Sequence, residues 1–219
     1  MQLLARGRAA DVFDLGDGTV LRRYRADVVA NFAGEHSTEH EAEFMRIAAR
    51  AGYPVPEVVR ARAAEIVMER VSGVTMLEDL GRRPWRLYAH AATLAELMAR
   101  LHQIALPTGS LLHFDLHPGK VVLSPHGPVV IDWTNARAGE PAADVAQSWL
   151  IIASSVPDGG RWQRSLVALG RGEFVRRFLS RFDMDAVRAA LPDVARERLK
   201  DQNVRPAEAA VVRRIAGLR

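Results

Sequence analysis

Cysteine is absent from the 219 residues of this chain, which excludes a disulfide framework and a thiolate zinc site. Long apolar runs are absent too, since none approaches the roughly 20 residues that a helix needs to span a bilayer. The first residues, MQLLARGRAA, lack the apolar segment of a secretory signal peptide. Lysine is scarce: Lys120 and Lys200 are the only two, and arginine supplies the other basic side chains. We therefore expect a soluble, cytoplasmic protein with no membrane partner.

Neither sign of charge dominates the composition. Lysine and arginine total 30 against 26 aspartates and glutamates, for a formal net charge of +4 at pH 7. The arginines alternate with acids along stretches of helical character, which is typical of a solvated, mixed-charge surface. Nucleic-acid binding is therefore disfavoured, with a basic face on the C-terminal helices as the alternative. With 48% hydrophobic residues, the chain is long enough to bury a core in one domain or two small lobes.

The order of the predicted elements indicates an α+β fold in two lobes. β-Branched runs separated by turn residues predict strands, and apolar residues at helical spacing predict helices. The predicted elements are strands within residues 1–24, a helix at 35–51, strands at 58–61 and 66–68, a long helix ending at about Ala105, and a helix at 140–155. We therefore expect a small antiparallel sheet with one helix over residues 1–70, followed by a mainly helical lobe over residues 71–219.

One acidic residue of the first predicted helix faces inward. Glu41 shares a helical face with Met45 and Ala48, which are core-type residues. Burying a carboxylate without a partner is costly. We therefore expect Glu41 to pair with Arg22, a cation on the preceding strand.

The residues with the clearest chemical character lie between positions 113 and 132. Apolar runs at 121–123 and 129–131 are separated by Ser-Pro-His-Gly-Pro, which predicts a β-hairpin. Because a hairpin returns the chain on itself, Asp132 is expected to lie close to Asp115. Two neighbouring carboxylates suit a general base and a metal ligand.

Several of these motifs together resemble the aminoglycoside phosphotransferase and choline kinase-like family of small-molecule kinases, which has a two-lobed protein-kinase-like fold. The family's run His-Gly-Asp-x-His-x-x-Asn corresponds to HFDLHPGK at residues 113–120, and its apolar-Ile-Asp-Trp run to VIDW at 130–133. GEPAADVA at residues 139–146 is similar to the family's Gly-Asp-Pro-x-x-Asp-Leu-Ala. The resemblance spans roughly residues 3–155.

The resemblance implies transfer of the γ-phosphate of ATP or GTP to a hydroxyl of a small molecule, with antibiotics among the candidate acceptors. Asp115 would accept the hydroxyl proton, Asp132 would bind Mg²⁺, and Asp144 would hold the backbone of the catalytic loop. Glu69 would offer its C=O and Val71 its N–H to the adenine edge. The full set of implied nucleotide-binding residues is Gly7, Val12, Val20, Arg22, Glu41, Met68, Glu69 and Val71.

Two residues depart from the family pattern. Phe114 replaces a glycine, which either fills space or strains the loop. Lys120 replaces the asparagine that ligates a metal, and an ammonium group cannot coordinate a cation. Lys120 either stands in for the charge of a second metal as a catalytic residue, or ties up Asp132 and excludes Mg²⁺. The alternative function is thus a catalytically impaired pseudokinase that binds nucleotide or a partner. The sequence defines neither the acceptor nor the oligomeric state.

Overall fold

The computed structural model of the chain describes most of its residues. Outside the described residues are Arg8, residues 27–37 and 156–160, Gln202, Arg219 and the side chains of residues 161–169. Strands dominate the first third of the described chain and helices the remainder, so the predicted α+β class is confirmed. Among the described helices, none has the length and apolar character required to cross a membrane.

The predicted strands and helices occur in the predicted order, together with short strands at residues 74–75, 105–106, 109–112 and 137–139 that were not predicted. The strands are β1 (Gln2–Arg6), β2 (Ala10–Asp14), β3 (Thr19–Tyr24), β4 (Val58–Arg62), β5 (Glu65–Glu69), β6 (Val74–Thr75), β7 (Ala105–Leu106), β8 (Gly109–Leu112), β9 (Val121–Ser124), β10 (Gly127–Val130) and β11 (Arg137–Gly139). The α-helices are α1 (Thr38–Arg50), α2 (Met76–Arg82), α3 (Leu87–Leu101), α4 (Pro141–Ser154), α5 (Arg161–Leu179), α6 (Met184–Arg198) and α7 (Pro206–Ile215). Positions 35–37 of the first predicted helix lie outside the described residues.

The chain forms two compact units, each built from two segments. The first unit comprises Met1–Thr75 and Lys120–Arg137, and the second Met76–Gly119 and Ala138–Arg219. These limits differ from the predicted division at residue 70, because the short strand β6 pairs with β9 and joins the hairpin to the first unit. The division into a nucleotide-binding lobe and a catalytic lobe stays a prediction.

The first unit contains a five-stranded antiparallel sheet in the order β1-β2-β3-β5-β4. Helix α1 packs against β4 and β5. A second sheet, in the order β10-β9-β6, contains the predicted hairpin. Ser124 pairs with Gly127, so only two residues form the turn. The Val130 N–H donates to the Pro54 C=O at 2.8 Å, which connects the hairpin to the segment after α1.

The second unit is helical around a buried face of α3. Ala91, Leu94, Met98 and Leu101 are fully buried at the predicted helical spacing. The predicted extension of this helix to Ala105 is wrong. Helix α3 ends at Leu101, and Ala105 is an exposed residue of β7, paired with Ser110 across a turn that contains Pro107. Helix α4 packs against α5, α6 and α7.

Candidate functional site

One face of the large sheet carries four of the residues implied to bind nucleotide. Val20 and Arg22 lie two residues apart on β3, so their side chains share a face. Val12 of β2 is directly opposite Arg22, and Met68 of β5 is directly opposite Val20. Directly opposite residues also share a face. The strand register therefore groups Val12, Val20, Arg22 and Met68 on one surface.

The predicted pair between Arg22 and Glu41 is present in the first unit. Arg22 Nη1 donates to Glu41 Oε1 at 2.7 Å, and Glu41 is only 2% exposed. The Tyr24 hydroxyl donates to the other oxygen of this carboxylate. The Tyr24 ring also lies under the guanidinium, 5.0 Å from ring centroid to Arg22 Cζ. The buried acid thus receives both a cation and a neutral donor, as its burial requires.

Asp132 accepts hydrogen bonds from two cations. Arg22 Nη2 donates to Asp132 Oδ1 at 2.5 Å, and Lys120 Nζ donates to Oδ2. The Thr134 hydroxyl donates to Oδ1 at 3.2 Å and accepts from Arg22 Nη2 at 2.9 Å. Asp132 has a φ of 70°, a left-handed conformation that aspartate tolerates better than most residues. Both oxygens of the expected metal ligand are therefore paired with protein cations.

The charges in this cluster shift the ionisation of its members. Burial alone would raise the pKa of Asp132, but Arg22 and Lys120 outweigh it and hold the pKa well below its usual range. Complete burial raises the pKa of Glu41, which Arg22 and Tyr24 oppose by favouring the carboxylate. Burial and the neighbouring Glu41 raise the pKa of the Tyr24 hydroxyl, so it remains a neutral donor.

Sequence reasoning missed Tyr24 and Thr134 as members of the cluster. Tyr24 could have been found, because it lies two residues after Arg22 on the same strand and therefore shares its face. Thr134 lies in a loop, where no periodicity indicates direction. Its hydroxyl is 3.0 Å from that of Tyr24 and bonded to Asp132.

The loop that carries Asp115 lies in the second unit, where a buried acid binds its backbone. Asp144 is fully buried and accepts from the N–H groups of His113 at 3.0 Å and Phe114 at 2.9 Å. The His102 ring lies 3.0 Å from the same carboxylate. The role implied for Asp144 is therefore confirmed. Asp115 belongs to the second unit and Asp132 to the first, so their proximity stays a prediction.

The side chain that replaces the family's glycine is buried on a left-handed backbone. Phe114 has a φ of 60° and is 5% exposed. Non-glycine residues in this region carry strain of the order of 1–2 kcal/mol. The substitution thus both fills space and strains the loop.

The remaining implied residues lie on turns and strand ends of the first unit. The Gly7 N–H donates to the Ala10 C=O at 2.9 Å, and a Cβ at Gly7 would stand 2.6 Å from that oxygen, so this turn requires glycine. Glu69 is exposed at the end of β5, and Val71 is half-buried just after it. Their contacts with a nucleotide stay predictions.

The donor set around Asp132 does not fit Mg²⁺ as it stands. Mg²⁺ takes oxygen ligands in octahedral geometry. Across the described residues, no group of three or more histidine, cysteine, aspartate or glutamate side chains is placed to hold a metal. Lys120 and Arg22 hold both oxygens of Asp132, and their charges would repel a divalent cation.

Solved structures with a similar fold include aminoglycoside phosphotransferases and an amicoumacin kinase. The ADP-bound aminoglycoside phosphotransferase APH(2'')-Ib is 17% identical, with a TM-score of 0.63 over 98% of this chain and 91% of that chain. A thermostable mutant of APH(4)-Ia, in complex with AMP-PNP and hygromycin B, is 18% identical, with a TM-score of 0.66 over 99% and 91%. The amicoumacin kinase hAmiN is 12% identical, with a TM-score of 0.56 over 99% and 86%. The fold is therefore the two-lobed protein-kinase-like fold.

Among curated proteins, the chain is similar to the serine/threonine-protein kinase PknA of Mycobacterium tuberculosis and of Mycobacterium bovis. It is 28% identical to each in an alignment over 167 residues that covers 70% of this chain. The chain spans 38% of the length of these relatives.

Two family models match overlapping parts of the chain. The RIO domain model matches residues 24–145, more than half of the chain, and the phosphotransferase enzyme family model matches residues 105–190. The chain therefore belongs to the RIO domain family, and its residues 105–190 are similar to the phosphotransferase enzyme family.

Proposed function

We propose that this protein transfers the γ-phosphate of ATP or GTP to a hydroxyl group of a small molecule. The observation that carries the proposal is the cluster of Arg22, Glu41 and Asp132 in a chain whose residues 105–190 match the phosphotransferase enzyme family. A cation held by a buried acid beside a second carboxylate is the arrangement that protein kinases use to position nucleotide phosphates. Chance pairing of surface charges would not bury Glu41 to this extent.

The proposed nucleotide site uses the sheet face and the segment after β5. Val12, Val20 and Met68 would contact the base, with the Glu69 C=O and the Val71 N–H at its polar edge. Arg22 would contact the phosphates and Gly7 would cover them. Support comes from the shared face of the first three residues and from the tight turn at Gly7. Adenine and guanine each carry hydrogen-bond donors and acceptors that a backbone C=O and N–H could contact. Both ATP and GTP therefore remain candidates.

The proposed transfer step is a direct displacement. The acceptor oxygen bonds to the γ-phosphorus while the bond from that phosphorus to the bridging oxygen breaks, and the nucleoside diphosphate leaves. The acceptor proton passes to the Asp115 carboxylate. The Mg²⁺ expected at Asp132 stays a prediction, and we assign no step to it, because Arg22 and Lys120 hold both carboxylate oxygens.

The acceptor class is proposed by analogy of fold. Kinases of similar structure form complexes with hygromycin B, gentamicin, streptomycin and amicoumacin. An antibiotic with free hydroxyl groups is therefore the first acceptor to test. We place the reaction in the cytoplasm, where nucleoside triphosphates are available, and propose neither a nucleic-acid nor a membrane partner.

The test of the transfer reaction is turnover of ATP and GTP with a panel of hydroxylated acceptors. We expect Asp115→Ala to lower kcat about 10²- to 10⁴-fold, the loss expected for a general base. The matched control is Asp193→Ala, which changes an exposed acid on α6 in the same unit. Equal activity of parent and Asp115→Ala would rule out the assigned role.

A second candidate is a nucleotide-binding module without turnover, and the contact between Lys120 and Asp132 favours it. The same assay distinguishes the two, when Lys120→Asn is added to restore the family's residue. If the parent is inactive and Lys120→Asn gains activity, the parent functions as a binding module. If the parent is active, its function is that of a phosphotransferase.

A further inference from the structure

Six polar and charged side chains, Asp132 among them, form one hydrogen-bonded cluster within the first unit. We call this set the Asp132 cluster; its members are Arg22, Tyr24, Glu41, Lys120, Asp132 and Thr134. It contains two cations and two carboxylates. Glu41 is buried against Arg22, so within the cluster Asp132 is the carboxylate at the more exposed side, and each of its two oxygens contacts one of the two cations.

The backbone of the hairpin places Lys120 and Asp132 near one another. Lys120 directly precedes β9, and Asp132 follows the end of β10 by two residues. The Ile131 N–H donates to the Lys120 C=O at 2.9 Å, which continues the pairing of the hairpin beyond its strands. Lys120 and Asp132 therefore lie at the same end of one hairpin. The pairing places Lys120 opposite Ile131, and the left-handed backbone of Asp132, with a φ of 70°, departs from the strand geometry there.

The cluster presents donors, and these donors suit phosphate oxygens better than a metal. Guanidinium and ammonium groups carry five and three N–H donors and no acceptor. The side chains remain reachable, since Lys120 is 21% exposed, Asp132 26% and Arg22 12%. A polyphosphate brings the negative charge that two cations sharing one exposed carboxylate can accept. A divalent cation would add positive charge where two positive charges already meet.

We propose that this site binds the polyphosphate of a nucleotide without a divalent metal, with Lys120 and Arg22 supplying the positive charge. The proposal rests on the proposed function for the identity of the ligand as a nucleotide. Lys120 is the residue on which it depends, because asparagine at this position would leave Asp132 an oxygen free for a metal. The flexible four-carbon stem of lysine allows the ammonium to move from Asp132 to a phosphate oxygen.

The test is calorimetric titration of the full chain with ATP, GTP and inorganic tripolyphosphate, each in EDTA and in excess Mg²⁺. We expect the parent to bind a nucleotide in EDTA with a Kd within about threefold of that in Mg²⁺, a difference below 1 kcal/mol. Tripolyphosphate should also bind in EDTA. Binding of nucleotide only in Mg²⁺ would overturn this proposal and leave the proposed function intact. Absence of nucleotide binding in both conditions would overturn the proposed function as well.

Three variants assign the effect to Lys120. Lys120→Asn should weaken binding in EDTA about tenfold or more, the loss of one charge-assisted hydrogen bond, and should make binding depend on Mg²⁺. Lys120→Arg keeps the charge and should retain binding in EDTA, which separates a binding defect from misfolding. Lys200→Asn changes the other lysine of the chain, which is exposed, and should bind as the parent does. If Lys120→Asn binds in EDTA as tightly as the parent, the proposal is wrong.

Discussion

At the scale of single residues, the Asp132 cluster shows how one arginine serves two acids. Arg22 donates through one terminal nitrogen to Glu41 and through the other to Asp132. Lysine has a single side-chain nitrogen and cannot span both acids in a planar fork. With arginine at position 22, Arg22, Glu41 and Asp132 form a network of three charges instead of a single ion pair.

The buried pair predicts strong coupling between its partners. Arg22→Met and Glu41→Met should each destabilise the protein by about 3–5 kcal/mol, because each leaves a buried charge without its partner. The double variant should lose much less than the sum, since it removes both charges. The free energy of unfolding, measured by denaturant titration of the four proteins, checks this. Additive losses would mean that the two side chains do not depend on one another.

At the scale of elements, the loop with Asp115 and the hairpin after it are shaped by backbone conformation. Asp144 at the start of α4 binds two successive N–H groups of the loop, which holds residues 113 and 114 in place. The strained conformation of Phe114 is then maintained by contacts on either side, its buried ring and its bonded N–H. Strain of this kind persists only where the surroundings over-determine the backbone.

The left-handed backbone of Phe114 predicts an unusual order of stability between two substitutions. Both Phe114→Ala and Phe114→Gly lose the buried ring, but only glycine relieves the positive φ. The glycine variant should therefore be more stable than the alanine variant by about 1 kcal/mol. Leu116 provides the matched control, because it is buried without a positive φ. There the order should reverse by about 0.5 kcal/mol, as thermal or denaturant unfolding of the four variants would reveal.

At the scale of the whole molecule, the chain assembles its first unit from segments that are distant in sequence. The segment Lys120–Arg137 supplies Asp132, Thr134 and the fully buried Trp133. Trp133 packs edge-on against Tyr53 at 5.8 Å between ring centroids, and its indole N–H donates to the Val130 C=O. The expected phosphate site therefore depends on the second segment as much as on the sheet.

The two-segment construction predicts that Trp133 is essential to the first unit. Trp133→Ala should destabilise the protein by about 3–5 kcal/mol, through loss of a large buried side chain and the cavity it leaves. Trp85 is 74% exposed in the second unit, and Trp85→Ala should change stability by less than about 0.5 kcal/mol. Urea denaturation of both variants provides the measurement. Similar losses in the two would contradict the role assigned to the second segment.

Much of the fold could be predicted from local sequence patterns. Turn residues and β-branched runs predicted the strands of the sheet and the hairpin, and apolar spacing predicted α3 and its buried face. The end of α3 was misplaced, because Ala105 continues the apolar period while the chain has already turned into a strand pair. Periodicity reports which face is apolar, whereas the end of a helix depends on backbone hydrogen bonds that no side-chain pattern records.

The candidate site was likewise predictable where local patterns determine it, and not where it depends on distant parts of the chain. The inward direction of Glu41 and its need for a cation followed from helical spacing and the cost of burying a charge, and Arg22 was found as the partner. Local sequence left open whether Lys120 stands in for the charge of a second metal or ties up Asp132 and excludes Mg²⁺, because both depend on where one flexible side chain points. The tertiary structure brings Lys120 and Arg22 to opposite oxygens of Asp132, although Arg22 lies more than a hundred residues before Asp132 along the chain. Charge and spacing in the sequence identify the residues of the candidate site, but which of these residues contact one another depends on pairing between distant segments of the chain.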